Sequence, residues 1–264
     1  MGHVVIKNLR KEYVERRREP RDGSRGSHQG DTLAVIDGLD LEFRDGELVC
    51  ILGPSGCGKT TLIRILAGFE RKTSGSVLID GREVDGPSAD NIFVFQHSGL
   101  LPWMTVGQNA ALAVRRMANK QEMATRVAEA IAMVELEGFE SHYPHQLSGG
   151  MQRRAELARA LVANPEILFM DEPFSGLDAL TRLKLREEVI NMHELLEKTI
   201  LFITHDIDEA LIMGDHLVVL GDRPARIKVS ERLDEPHPRN LTGNPRLAEL
   251  RKQLHRSLGV HFAL

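Results

Sequence analysis

Cysteine is nearly absent, with only Cys50 and Cys57 in 264 residues. One lies in an apolar run and the other in a glycine-rich turn. Those places point to reduced thiols, not to a disulfide framework or a zinc site. Aromatic residues make up 5% of the chain, so each one outside an apolar run stands out. No apolar run approaches the ~18 residues of a membrane span. Positive charge is not in excess either: 34 Lys and Arg face 38 Asp and Glu, a formal net charge of −4. That balance gives no electrostatic case for nucleic acid as a partner. The first residues, Met1-Gly2-His3-Val4-Val5-Ile6-Lys7, have no signal-peptide core, so the chain is expected to be soluble and to stay where it is made. There is no internal repeat and no low-complexity block.

What is present is a glycine-rich loop, Gly53-Pro54-Ser55-Gly56-Cys57-Gly58-Lys59-Thr60. The continuous apolar run Leu48–Leu52 precedes it and reads as a buried parallel strand. Thr61 to Gly68 follows as a helix ending in glycine. Strand, glycine-rich loop and helix form the context of a phosphate-binding loop. The glycines let the backbone curl until N–H groups point inward, and the helix N-terminus adds partial positive charge. Lys59 can reach the β- and γ-phosphates, and the Thr60 hydroxyl can ligate Mg²⁺. The loop residues 53–60 with Thr61 are therefore the expected contacts of a nucleoside triphosphate.

Further strands are expected at 3–9, 33–36, 39–43, 76–79, 92–95, 167–170, 199–203 and 217–220. Helical patterning fills 107–163, 180–196 and 206–213. The stretch from Val14 to Asp31 carries Arg16, Arg17, Arg18, Arg21 and Arg25 among Glu15, Glu19 and Asp22, and is expected to be a solvated surface loop. The tail has Leu247, Leu250, Leu254 and Leu258 at helical spacing, a stripe suited to docking on the body or a partner.

Two more constellations carry chemistry. Ile167-Leu168-Phe169-Met170-Asp171-Glu172 is an apolar strand ending in two carboxylates. Beside a phosphate-binding loop, Asp171 is placed to hold Mg²⁺ and Glu172 to polarise an attacking water. Alone, the pair could be an acidic cap on the next helix. Leu147-Ser148-Gly149-Gly150 opens another helix. Ser148 is a good N-cap, and the glycines leave the helix end bare, a second anion site. One triphosphate does not need two such sites from one chain, so this one points to a dimer that shares its ligands.

With those residues in their order, about 1–230 resembles the ATP-binding subunit of ABC transporters. The resemblance implies an α/β fold. Its core is a P-loop NTPase of RecA-like type, with an N-terminal antiparallel β subdomain and an inserted α-helical subdomain at about 97–158, and 231–264 forms a C-terminal tail. It implies that Tyr13 stacks on adenine, that Gln96 touches Mg²⁺ and the attacking water, and that His205 donates to the γ-phosphate. It also implies that Asp178 spans a dimer interface, while Ser148, Gly149 and Gly150 meet the γ-phosphate of the opposite subunit. The catalytic set is then Lys59, Gln96, Glu172 and His205, the metal set Thr60, Gln96 and Asp171, and the cofactors ATP and Mg²⁺. Met151-Gln152 departs from the commonest form of the signature, in which Gln directly follows the second glycine.

Leu100-Leu101-Pro102-Trp103, then Thr105-Val106, is similar to the importer branch for nitrate, sulfonate and taurine, as is Arg223-Pro224-Ala225-Arg226-Ile227. The implied partners are an integral membrane permease, a second ATP-binding subunit (self or paralogue) and an extracytoplasmic solute-binding protein. The implied place is the cytoplasmic face of the inner membrane. Leu100, Leu101 and Trp103 are candidates for the surface that docks the permease. An exporter or lipid-mover ATPase, or a soluble ABC ATPase acting on ribosomes or DNA, are the competing readings. The Leu-Leu-Pro-Trp segment argues against the first, and the lack of a tandem copy and of a basic face argues against the second.

Overall fold

The computed structural model describes residues 2–14, 32–96, 99–115 and 118–259. The charged stretch 15–31 lies outside the described residues, apart from the Val14 that borders it.

Five apolar runs make a parallel sheet: β3 (Leu48–Leu52), β6 (Asn91–Val94), β7 (Ile167–Asp171), β8 (Thr199–Ile203) and β9 (His216–Leu220). Every residue of β3, β7, β8 and β9 is buried, as continuous hydrophobic runs covered on both faces require. Their side chains alternate between two cores. Leu48, Cys50 and Leu52 face the helices, while Val49 and Ile51 face the other layer. β10 (Ile227–Arg232) adds an antiparallel edge, giving the order β10-β9-β3-β8-β7-β6. The sequence reading did not include β10, whose half-exposed alternation is broken by charged residues.

The second layer is an antiparallel sheet in the order β2-β1-β4-β5, from β1 (Val4–Val14), β2 (Thr32–Phe43), β4 (Ser74–Ile79) and β5 (Arg82–Glu83). The two short strands expected at 33–36 and 39–43 are one strand. It stays paired with β1 through register irregularities that absorb Gly38.

Helix α1 (Lys59–Leu66) leaves the end of β3. Between β6 and β7 the chain forms α2 (Val106–Ala111), α3 (Lys120–Met133) and α4 (Gly149–Val162), with α4 running beyond 158. Thr105 and Gln108 cap α2 reciprocally, Asn119 caps α3 and Ser148 caps α4. Ala130 and Ile131 of α3 and its C-cap Val134 are buried, with Val127 partly so. Helices α5 (Ala179–Leu196) and α6 (Ile207–Met213) complete the crossovers. α7 (Pro245–Ser257) sinks Leu247, Leu250 and Leu254 into the same core as α6, so the leucine stripe of the tail docks on the body.

Glu47, in the turn before β3, ties three elements together. It accepts from the Arg44 backbone N–H and from Arg232 Nε of β10, both at 2.8 Å, with His216 Nδ1 at 3.7 Å. Burial pushes its carboxyl up. The contacts from His216, Arg232 and the Arg44 N–H outweigh this and hold it at about 2 against 4.5 when free. A carboxyl whose folded pKa is depressed stabilises the protein above the unfolded pKa and stops doing so as pH falls through the folded one. Denaturant unfolding should therefore lose about 2 kcal/mol from this group between pH 4.5 and 2, with solvent screening allowed for. In Glu47→Gln that part of the pH dependence should vanish, and an unchanged profile would refute the assignment.

Candidate functional site

In a parallel sheet the carboxyl ends of the strands open one crevice where the strand order reverses. Here β3 delivers the loop 53–60, β6 delivers Gln96, β7 ends in Asp171 and Glu172, and β8 leads to His205. A cleft of ≈ 440 Å³ lies at that edge, lined among others by Tyr13, Ser55, Lys59, Thr60, Gln96 and Glu172. Gly56, Gly58 and Thr61 also line it.

The loop is held in shape by its own lysine. Lys59 is buried and donates to the carbonyls of Gly53 at 2.8 Å and Pro54 at 3.0 Å. Gly58 sits at φ +120°, where a side chain would meet Val35 at 3.0 Å, so glycine is required on both counts. Cys57 faces inward: its thiol lies beneath the loop, and burial pushes its pKa up against the charge of Lys59. Cys57 can contribute only backbone to a ligand. Gly53 and Pro54 do not line the cleft either, their carbonyls being taken by Lys59.

Thr60 Oγ1 donates to Asp171 Oδ1 at 3.1 Å. Burial pushes the Asp171 carboxyl up, the Thr60 hydrogen bond opposes this, and the neighbouring Glu172 charge adds to it. Glu172 is turned the other way. It adopts φ +47°, its N–H donates to the Ile203 carbonyl at 3.1 Å, and its Oε2 lies 3.5 Å from His205 Nδ1. Left-handed backbone costs an L residue about 1 kcal/mol; here it separates the two consecutive carboxylates, one toward Thr60 and one toward His205. Glu172 also lines the adjoining cleft that contains His205, Arg182 and Glu209, so it stands where the two clefts meet.

Tyr13 pairs with Leu33 across the β1–β2 hairpin, and both line the cleft with Val35. Lys11 Nζ lies 4.4 Å from the centre of the Tyr13 ring. Ser148, Gly149, Gly150 and Asp178 are not on the cleft. They form a separate pair of helix ends: Ser148 accepts from Met151 N–H, and Asp178 accepts from Thr181 N–H at 3.0 Å. A side chain on Gly150 would lie 2.5 Å from Thr181, so the glycine lets the start of α4 press on the start of α5.

Three residues, Arg223, Arg153 and Glu156, were not anticipated as functional. Arg223, from the turn between β9 and β10, reaches the loop and lines the cleft. Arg153 and Glu156 of α4 form a buried pair at 2.6 Å. Arg153 donates to the Phe95 carbonyl at 2.8 Å and to the Gln96 carbonyl, and Glu156 accepts from the Gly99 N–H. The helix that starts at Ser148 thereby grips the backbone of Gln96. The one sequence signal was two opposite charges at i and i+3 flanking apolar positions. Leu100, read as docking surface, is instead in the core at 7% exposure, while Trp103 is 69% exposed.

A parallel sheet with a glycine-rich loop after β3, two carboxylates at the end of β7 (separated from β3 by β8) and helices inserted between β6 and β7 defines a P-loop nucleotide hydrolase. Residues 36–175 match the ABC transporter family, and the chain belongs to that family as an ATP-binding cassette. It is 46% identical to an uncharacterised ABC transporter ATP-binding protein of Methanocaldococcus jannaschii, over 81% of this chain and 80% of that one. It is 38% identical to an aliphatic sulfonates import ATP-binding protein of Bacillus cereus, over 86% and 90%. It is 43% identical to a taurine import ATP-binding protein of Pelagibacter ubique, over 75% and 76%. A dimeric post-hydrolysis structure of an ATP-binding cassette with ADP and Pi superposes at a TM-score of 0.72 with 31% identity, covering 88% of this chain and 100% of that one.

Proposed function

We propose that the chain hydrolyses ATP to energise import of a small solute of the nitrate, sulfonate and taurine class through a partner permease. The observation that carries the hydrolase is the convergence of Lys59, Thr60, Gln96 and Glu172 on one cleft, with Glu172 3.5 Å from His205. The importer reading rests on relatives named for sulfonate and taurine import.

ATP enters with its adenine against Tyr13, its β- and γ-phosphates on the loop N–H groups and Lys59. Thr60 and Asp171 offer hard oxygen donors 3.1 Å apart, and the Asp171 carboxyl is raised by burial; a divalent cation would relieve both. Mg²⁺ suits this donor set, Gln96 stands on the same cleft as a further donor, and bound there the ion would neutralise charge on the phosphate oxygens. Glu172 takes the proton from water as the water oxygen bonds to the γ-phosphorus and the bond to the β–γ bridging oxygen breaks. His205 donates to the γ-phosphate and orients Glu172. Ser148, Gly149 and Gly150 act on the triphosphate of a second protomer, whose same three residues act in return, and Asp178 spans the interface and coordinates the two sites. The second subunit is a copy or a paralogue, and hydrolysis parts the pair.

Among the described residues no helix is long and apolar enough to cross a membrane. In this reading the chain sits peripherally on the cytoplasmic face, held by the permease, and an extracytoplasmic binding protein supplies the solute. Trp103, exposed on the stretch that leads from Gln96 to α2, is the docking residue. A tagged pull-down from gently solubilised membranes should recover a multi-spanning permease, and Trp103→Glu should lose it while keeping ATPase activity. Recovery of only soluble partners or ribosomes would overturn the importer reading. Undiminished capture by Trp103→Glu would overturn the docking role.

A further inference from the structure

We infer that Arg223 is a further nucleotide-site residue, a second cation beside Lys59 that holds the phosphate-binding loop and is neutralised by the phosphates. The inference rests on the cleft being the nucleotide site and adds a residue to it.

The geometry begins with the loop. Arg223 Nε and Nη2 both donate to the Gly56 carbonyl, at 3.1 and 2.7 Å. Lys59 takes the carbonyls of Gly53 and Pro54 from within. Two cations therefore hold three of the loop's carbonyls, those of Gly53, Pro54 and Gly56. Gly56 has φ +74°, and a side chain there would lie 3.3 Å from Arg223 Nη2, so the absence of Cβ leaves room for the guanidinium to sit against the backbone.

The turn that carries Arg223 is anchored elsewhere. Ala225 N–H donates to the Val35 carbonyl at 2.8 Å, and Gly221 N–H to the Arg226 carbonyl at 2.8 Å. Arg226 pairs with Asp37 at 2.5 Å, and Asp37 also pairs with Arg10 at 2.6 Å. These contacts fix the turn without the Arg223 side chain, which reaches across to the loop instead.

Charge completes the case. Among the described residues Arg223 pairs with no carboxylate, unlike Arg226 beside it. Of the residues lining the cleft, Lys59 and Arg223 carry positive charge and Glu172 negative. A guanidinium without a counter-ion at the mouth of a polyphosphate site has the phosphates as its natural partner, and Arg suits phosphate oxygens through its forked donors. Arg223 meets the loop at Gly56, and Ala225 of the same turn meets Val35, whereas Asp171 is paired with Thr60 at the start of α1. Arg223 therefore acts on groups common to ATP and ADP and belongs to binding, not to the bond-breaking step.

The test is titration of wild type, Arg223→Gln, Arg223→Lys and Arg126→Ala with a fluorescent ADP, with inorganic tripolyphosphate as competitor. Arg223→Gln should weaken ADP and tripolyphosphate alike by about tenfold, as expected for one charge-assisted contact near the surface. KM for ATP should rise by the same factor with kcat unchanged. Arg223→Lys should recover most of the affinity, and Arg126→Ala, on the exposed face of α3 and off the cleft, should bind as wild type does. The gap between wild type and Arg223→Gln should close as ionic strength approaches ~1 M, because charge at an exposed site is screened; a merely structural clamp on the loop would keep its gap. Equal affinities of wild type and Arg223→Gln, a gap insensitive to salt, or a loss confined to kcat would each overturn the inference. Wild type that binds no ADP would overturn the nucleotide site itself.

Discussion

Glu172→Gln should bind ATP as wild type does and turn it over about a thousandfold more slowly, the scale of a lost general base. The substitution removes charge without volume, at a side chain 24% exposed that faces two clefts. Its backbone hydrogen bond to Ile203 is independent of the side chain, so the left-handed turn after β7 is kept. Asp171, Thr60 and Lys59 are untouched, and with them the groups proposed to hold phosphate and Mg²⁺. Affinity should then be preserved, and the trapped triphosphate should keep two protomers together. The measurement is phosphate release at saturating ATP alongside equilibrium nucleotide binding. Turnover within a few-fold of wild type would sink the base assignment and leave Glu172 as a mere neighbour of His205.

The legible parts of the molecule were those where one local pattern meets one physical demand. Thr199–Ile203 is a strand because five successive buried residues suit only the middle of a covered parallel sheet. Ser148 caps its helix because it offers an oxygen to an otherwise unpaired N–H group. The glycine-rich loop carries its own chemistry in its spacing. What stayed hidden depended on partners far along the chain. Arg223 meets Gly56 across 167 positions, through a turn whose placement requires β10. That strand alternates weakly and carries Lys228, Glu231 and Arg232, so nothing local marked it.

Two other features were hidden for a related reason. Arg153 and Glu156 satisfy one another and the backbone of Phe95, Gln96 and Gly99, and a charge neutralised by a partner in the same helix looks on paper like an exposed face. Leu100 and Trp103 were grouped because both are apolar and close in sequence. The chain turns sharply between them, with Asn109 gripping it by hydrogen bonds to the backbone of Leu101 and Met104, and this sends one into the core and the other to solvent.

The separation of Ser148, Gly149 and Gly150 from the cleft leads to the second large effect. If each working site combines the loop of one protomer with the α4 end of the other, Lys59→Ala and Ser148→Arg should each be inactive alone. The first strips the cleft of its buried cation, and the second fills the bare helix end with a side chain and the wrong contacts. Mixed, they should recover activity. In a mixed dimer one site unites the two damaged halves and the other unites the two intact ones. With random pairing of equal amounts, half the dimers are mixed and each has one good site, so about a quarter of wild-type turnover should return. Ser148 already caps its own helix in the single chain, so loss of that cap alone would lower stability by about 1 kcal/mol and could not be repaired by a second inactive protein. Recovery therefore separates a shared site from a folding defect. If thermal melts show both variants folded and their mixture stays inactive, the two-protomer site is wrong, and the triphosphate must be cleaved within one chain by Lys59, Glu172 and His205 alone.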